Sequence, residues 1–297
     1  KQNVSAPIEK GDHPEMDKSD LLDDEGVKIH QSLIGALQWI VTISWFDVNT
    51  AVLTLSGFCT GPCQGHLERV KRICGYLSKM RCGVIRIRTD EPDYSHIPIE
   101  HYDWEYTCYK GATEHLPNDA PTPRGKRVIL TTYVDANLYH DLISGRSVTG
   151  ILHLANQTPI DWFSKLQSTV ETSTFGSEYV AARTATEQVI DLRITFRYLG
   201  VNIDQPTMMF GDNKSVVDTA SVPYSKLSKR HQALSYHKTR EAIAAGIIRF
   251  KHMDGKDNPA DILSKHWNYP SIWSQLKPLL FWSGDTLDTL QDDKVSS

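Results

Sequence analysis

No stretch of this sequence approaches the roughly 20 consecutive apolar residues that a membrane-spanning helix requires, and Lys1 to Lys18 lack the apolar core of a secretory signal. A membrane protein is not expected. Cysteine is scarce and unevenly placed. All five (Cys59, Cys63, Cys74, Cys82 and Cys108) precede Lys110, and an odd number offers no even disulfide framework, which points to reduced thiols in an intracellular protein. Cys59, Cys63 and His66 lack a fourth ligand at a convincing spacing, so zinc is not the expected reading of that cluster. Net charge is nearly absent too, because 32 Lys and Arg against 36 Asp and Glu leave only −4. That argues against a wholly basic nucleic-acid clamp, but not against an enzyme that gathers acids in its site and bases around it. The chain also begins without Met, as a piece of something larger would.

What is present divides into two patterns, and 297 residues favour two units over one. Residues 1–26 are polar and rich in Lys, Asp, Glu and Pro, which predicts a flexible lead-in. Residues 27–110 read as mainly helical. Ile29, Leu33, Leu37, Ile40 and Ile43 make one stripe at three- and four-residue spacing, Val52, Leu55 and Phe58 a second, and Leu67, Val70, Ile73 and Leu77 a third. Gly83 to Arg88 alternates like a strand. Residues 111–126, with Pro117, Pro121 and Pro123, read as a linker.

Beyond it the period shortens. Val128–Asp135, Ser147–Ala155 and Pro159–Ser164 predict three consecutive antiparallel strands, the last two joined through Asn156-Gln157-Thr158. A long helix follows, with Glu178, Ala181, Ala185, Val189, Leu192, Phe196 and Leu199 on one stripe and Gly200 as its stop. Thr207–Phe210 is a fourth strand, Leu227–Gly246 a helix, Ile247–His252 a fifth strand and Pro259–Trp267 a closing helix. The expected class is α/β: a five-stranded mixed sheet flanked by helices over residues 127–268, then a tail over 269–297.

Four carboxylates occupy special places in this scheme. Asp135 ends the first strand and Asp212 the fourth, Glu178 begins the stripe of the long helix, and Asp261 opens the last one. Sites in open α/β sheets form beyond strand ends and at helix N-termini. Glu178 points its face at the sheet, where a lone carboxylate would be costly. Four gathered carboxylates would repel one another without cations. Two Mg²⁺ ions, which prefer oxygen ligands, would remove that repulsion and support in-line displacement at phosphorus when about 3.5–4 Å apart. Spacing alone leaves the plainer alternative open, since an Asp at a strand end is often a turn former or helix cap.

The residues also carry a resemblance. Tyr133-Val134-Asp135-Ala136-Asn137, Ser144-Gly145-Arg146-Ser147-Val148-Thr149-Gly150, Pro159-Ile160-Asp161-Trp162-Phe163-Ser164-Lys165, Ser177-Glu178-Tyr179-Val180-Ala181-Ala182, Gly211-Asp212-Asn213-Lys214-Ser215, Tyr236-His237 with Arg240-Glu241, and Ala260-Asp261-Ile262-Leu263-Ser264-Lys265 resemble the ribonuclease H domain of copia-type LTR retrotransposons. They occur in the family's order. Gln31 to Leu37, Phe46 to Val52, and His66 with Val70-Lys71-Arg72 and Tyr76-Leu77 resemble the end of the reverse transcriptase of the same elements.

The resemblance implies a ribonuclease H-like domain preceded by a small reverse-transcriptase thumb- or connection-like region, together the C-terminal part of a Pol polyprotein. It implies that Asp135, Glu178, Asp212 and Asp261 are catalytic metal ligands for two Mg²⁺, with Mn²⁺ able to substitute. The expected activity is hydrolysis of the RNA strand of RNA–DNA hybrids. Partners would be the hybrid and the remainder of the polyprotein, and the compartment cytoplasmic virus-like particles with nuclear entry at integration. A polymerase centre is not expected, because Tyr133-Val134-Asp135-Ala136 lacks the second Asp of a Tyr-X-Asp-Asp hairpin. Some ribonucleases H carry a His in the loop before the last carboxylate, but Asp254-Gly255-Lys256-Asp257-Asn258 has none.

For substrate contact, Asn213, Lys214, Ser215, Arg230, His231 and His237 are the candidates, within a wider basic stretch of Lys226, Lys229, Lys238 and Arg240. Arg69, Lys71, Arg72, Lys79 and Arg81 are candidates for tracking a duplex or facing a polymerase palm, and Trp162 and Trp267 read as core aromatics. Two rivals remain: a catalytically inactive, retroelement-derived binding or interaction protein, and a transposase or integrase. The second is disfavoured by order, since those enzymes place their Glu late and Glu178 is second of four.

Overall fold

The computed structural model describes residues 4, 6–80, 85–227, 230–276, 278 and 279. Three helices come first: α1 (Asp24–Ile43), α2 (Asn49–Ser56) and α3 (Gln64–Lys79). Then come β1 (Arg124–Arg127), β2 (Leu130–Asn137), β3 (Val148–Ala155), β4 (Thr158–Leu166) and the 25-residue α4 (Thr174–Tyr198). The chain continues through β5 (Val201–Asn202), β6 (Thr207–Gly211), α5 (Lys214–Ser221), α6 (Ala233–Ala244), β7 (Ile248–His252) and α7 (Tyr269–Leu276).

The main sheet has the order β4-β3-β2-β6-β7. β2–β3 and β3–β4 are antiparallel, whereas β2–β6 and β6–β7 are parallel. This is the mixed five-stranded sheet flanked by helices that the strand pattern of residues 127–268 predicts. β1 and β5 form a separate small parallel pair.

Both faces of the sheet are covered, and alternation along β3 shows how. Ile151 joins Val134, Met209 and Phe250 under α4, α5 and α6. Its neighbours Leu152 and Leu154 turn the other way and share a core with α1, α2, α3, Ile262 and Trp267. A strand buried on both faces loses its polar face, which is why β3 is buried from Val148 to Leu154. Trp162 and Trp267 belong to the second core: Trp162 Nε1 donates to Val41 O at 2.9 Å, and Trp267 meets Tyr76 edge-on at 6.1 Å.

Several local expectations are corrected. On α1 the inward residues are Gly26, His30, Ile34, Leu37 and Val41, while Ile29 and Ile43 are 44% and 57% exposed. The helix is apolar on more than one face, so periodicity alone cannot choose the buried stripe; packing against α2 and α3 does. The segment read as a lead-in buries Ala6 and Ile8 in the α1–α3 core, and Arg69 grips Asp12 through both carboxylate oxygens and Asp17 through a third bond. Arg72 likewise pairs with Glu9. Both arginines are engaged by acids of this segment. Ile85 to Arg88 is not a strand, because Thr158 Oγ1 takes both Arg88 backbone groups; Gly83 and Val84 lie outside the described residues.

The long irregular stretch before β1 is tied down along its length. Tyr94 meets Thr131 at 2.5 Å, Tyr109 meets His237 at 2.7 Å, and Glu114 makes paired bonds to Arg193 and Arg197 of α4. The expected closing helix is a short 3-10 segment, Pro259–Leu263, and the expected tail begins as α7, which buries Ile272 and Leu276. Residues 280–297 of that tail lie outside the described residues.

Candidate active site

Parallel pairing of β2 with β6 decides where the site lies. Tyr133 is opposite Phe210, so two residues further on Asp135, still inside β2, lies beside Asp212, the residue that follows β6. α4 reaches that end because Ala181, Ala182 and Ala185, each 0% exposed, let it lie close on β2. Its start is set by Ser173, whose side chain accepts from Gly176 N, and Glu178 falls on the sheet-facing side. One oxygen each from Asp135, Glu178 and Asp212 then lie within 4.8 Å of one another. Among the described residues this is the group of acids, histidines or cysteines close enough to share an ion.

Asp261 arrives from another direction. It sits in the Pro259–Leu263 turn, which presses on β3 at Gly150, the residue paired with Asp135. A Cβ at Gly150 would stand 2.7 Å from Ala260 O and 2.9 Å from Ser264 N, so only glycine admits the turn. Asp261 does not join the trio directly; Lys265 Nζ bridges it to Asp135, at 2.6 Å from Asp261 Oδ1 and 3.2 Å from Asp135 Oδ1. Ser264 Oγ donates to the other oxygen of Asp135. Gly255 closes the far side, where a Cβ would meet Asp212 Oδ2 at 2.9 Å.

The electrostatics follow from burial and like charge. Burial, then the neighbouring Asp135 and Asp212, push Glu178 well above the usual carboxylate range. Burial and Asp135 raise Asp212 as well, and bring Asp261 up to about 6. Burial would depress Lys265, but Asp135 and Asp261 hold it above the ordinary lysine value. Three buried or half-buried carboxylates facing one another are an unfavourable arrangement unless a cation compensates them. The donor set is all oxygen, as hard divalent ions require, so the residues fit Mg²⁺ or Mn²⁺.

These side chains open into a cleft of about 560 Å³ that Asn213, Lys214 and Ser215 also line. Asn213 caps α5 through Val216 N, while Lys214 and Ser215 are exposed. Arg230 is exposed, and His231 Nε2 lies 3.5 Å from the buried Glu171. His237 is exposed and held by Tyr109. Arg240 is different: it is 1% exposed, donates to the carbonyls of Thr219, Val222 and Pro223, and lies over Trp104, Tyr109 and Tyr236. It is a core cation, not a surface base; Lys229 lies outside the described residues.

Cys59, Cys63 and His66 have an ordinary structural use. Cys63 N donates to His66 Nδ1 at the start of α3, and His66 Nε2 lies 2.8 Å from Pro14 O. Sequence reasoning quoted Ser264 and Lys265 within a motif but gave them no place in the site. The available signal was the four-residue spacing of Asp261 and Lys265 on one turn.

No family model matches the chain. It is 26% identical over 236 residues to the retrovirus-related Pol polyprotein from transposon TNT 1-94 of Nicotiana tabacum, covering 80% of this chain and 15% of that protein. The corresponding polyprotein from transposon RE1 of Arabidopsis thaliana is 24% identical over the same length, with 14% of it covered. The chain thus spans only a small part of these relatives. A shorter relative, secreted RxLR effector protein 161 of Plasmopara viticola, is 27% identical over 166 residues, which are 56% of this chain and 92% of that one. Among solved structures, the N-terminal RNase H domain of Rv2228c from Mycobacterium tuberculosis matches at 14% identity and a TM-score of 0.37, over 46% of this chain and 91% of that one. By sequence, the chain is similar to these retrovirus-related Pol polyproteins of plant transposons across 80% of its length.

Proposed function

We propose that the chain is a ribonuclease H-type endonuclease that hydrolyses the RNA strand of RNA–DNA hybrids. The observation that carries this reading is the convergence of Asp135, Glu178 and Asp212 near the C-terminal ends of β2 and β6, with Asp261 joined through Lys265. Asp135, Glu178, Asp212 and Asp261 would hold two divalent ions, Mg²⁺ or Mn²⁺. Such ions, when bound, activate a water and stabilise the leaving oxygen at phosphorus.

The chain's own groups do the rest. The carboxylates would hold the ions at the floor of the cleft, and burial of Asp135 and Glu178 keeps bulk water from screening them. Lys214 and Ser215 at the cleft edge, and Arg230 and His231 at the turn before α6, are suited to the sugar–phosphate backbone. Asn213 acts through the cap of α5, and His237 lies further along α6.

Residues 127–268 form the nuclease unit in this reading. Residues 27–110 are the reverse-transcriptase-derived region, sharing a core with β3 and Trp162, and the remaining partner is the rest of a Pol polyprotein. Action inside virus-like particles, with nuclear entry, belongs to the same proposal. The test is strand- and duplex-specific: end-labelled hybrid, double-stranded RNA and double-stranded DNA are each incubated with the full chain. Cutting of RNA in the hybrid alone is expected. Equal cutting of all three would reject the substrate, and no cutting by folded chain that still binds hybrid would favour an inactive binding protein.

A further inference from the structure

Asp135 commits both carboxylate oxygens to the closing turn. Oδ1 lies 3.2 Å from Lys265 Nζ, and Oδ2 accepts from Ser264 Oγ. The same ammonium lies 2.6 Å from Asp261 Oδ1. Asp135 is 0% exposed, and the ammonium and hydroxyl of this turn are its side-chain hydrogen-bond partners. The other half of the site differs: among the described residues, no Lys, Arg or His forms an ion pair with Glu178 or Asp212.

We infer that Lys265 is the resident counter-ion of the Asp135–Asp261 half of the site, and that a divalent ion ligated by both carboxylates must displace its ammonium. The inference rests on reading the four carboxylates as metal ligands. An ammonium and a dication compete for the same oxygen lone pairs and repel each other across a few ångströms. Lys265 has somewhere to go, because its side chain is 37% exposed and lines the cleft. Its four-carbon stem lets the head swing out while the backbone of the turn stays against Gly150. The two halves of the site are therefore unequal. An ion held by Asp135, Glu178 and Asp212 competes with Lys265 at Asp135 alone and leaves the Lys265–Asp261 pair in place, whereas an ion on the Asp261 side must break that pair as well. Lys265 is a positioning residue in this scheme: it keeps Asp135 and Asp261 together until an ion replaces it.

Calorimetric titration of the full chain with Mg²⁺, and separately with Mn²⁺, tests this in wild type, Lys265→Gln and Lys265→Arg. Wild type should bind one ion and a second at least about tenfold more weakly. Lys265→Gln should tighten the second ion about tenfold or more. Its metal-free melting temperature should fall below that of wild type and recover at saturating ion. Lys265→Arg keeps the charge and should keep the second ion weak, which preserves the test should the neutral variant not fold without metal. Ion binding by Lys265→Gln with constants equal to wild type overturns the inference and leaves the metal reading standing. So does tightening in Lys265→Arg. Absence of ion binding in all three proteins removes the metal reading, and the inference with it.

Discussion

Gly150 is paired with Asp135 across the β2–β3 ladder, and its missing side chain is the space through which the closing turn reaches that carboxylate. A Cβ there would lie 2.7 Å from Ala260 O, 2.8 Å from Leu263 C and 2.9 Å from Ser264 N, all backbone atoms that cannot rotate away. Gly150→Ala should therefore cost about 1–3 kcal/mol of stability and pull Asp261 and Lys265 off Asp135. Urea unfolding together with ion titration checks both parts. An unchanged unfolding midpoint would show that the turn does not depend on this close approach.

The raised carboxylates set a pH dependence for ion binding. Burial and mutual repulsion raise Glu178 and Asp212, and bring Asp261 to about 6. Protons compete with the ion for the same oxygens, so affinity for Mg²⁺ should be greatest near pH 8 and fall as pH drops through 6. In metal-free protein the sign for stability is opposite. Groups raised on folding stabilise most at low pH and lose that contribution as pH rises through their folded values. Melting curves at several pH values, with and without Mg²⁺, should diverge toward alkaline pH; parallel curves would contradict the coupling.

Asp47 gives a second pH effect, remote from the cleft. Its carboxyl is 1% exposed, accepts from Tyr76 Oη at 2.6 Å and is pushed by burial up to about 7. Its other oxygen, Oδ1, accepts no side-chain hydrogen bond, so no side chain there offsets the cost of burying the charged form. An unfolded Asp titrates near 4, so stability is full below that value and declines by about 4 kcal/mol as pH rises through 7. Asp47→Asn should remove this slope and raise the urea midpoint at pH 8 relative to wild type. Identical slopes in the two proteins would count against a buried neutral Asp47.

Much of the sheet was legible because its strands alternate or run apolar between turn residues, as at Asn156-Gln157-Thr158 before β4. Asp212 could be placed from its position at a strand end and Glu178 from its place on the α4 stripe, whereas Asp135, expected to end its strand, lies inside β2, which runs on to Asn137. What could not be read depends on which partner a residue finds. α1 carries competing apolar stripes, and only contact with α2 and α3 selects the one through Ile34 and Leu37. The acids and prolines before α1 look solvated until Arg69 gathers Asp12 and Asp17. Arg240 looks like a surface base until the carbonyls after α5 and the aromatic rings close around it. Lys265 follows the same rule, since its role depends on Asp135, 130 positions away in sequence.

Glu114 offers a test of the segment that runs over α4. Its carboxylate is shared by Arg193, only 2% exposed, and Arg197. Glu114→Ala leaves the Arg193 guanidinium buried with its carbonyl and hydroxyl partners but no counter-charge, which should cost about 3 kcal/mol. Limited proteolysis should then cut between Tyr94 and Lys126 faster than in wild type. Equal cleavage rates would mean that this ion pair does not anchor the segment.

The most direct measurement is cleavage of a labelled RNA–DNA hybrid by the full chain, comparing wild type with Asp212→Asn in Mg²⁺, in Mn²⁺ and in EDTA. A nuclease built on this carboxylate site predicts cutting of the RNA strand by wild type with either ion, none in EDTA, and a loss of at least about a hundredfold in Asp212→Asn. Cutting that persists in EDTA, or that Asp212→Asn leaves intact, would contradict it.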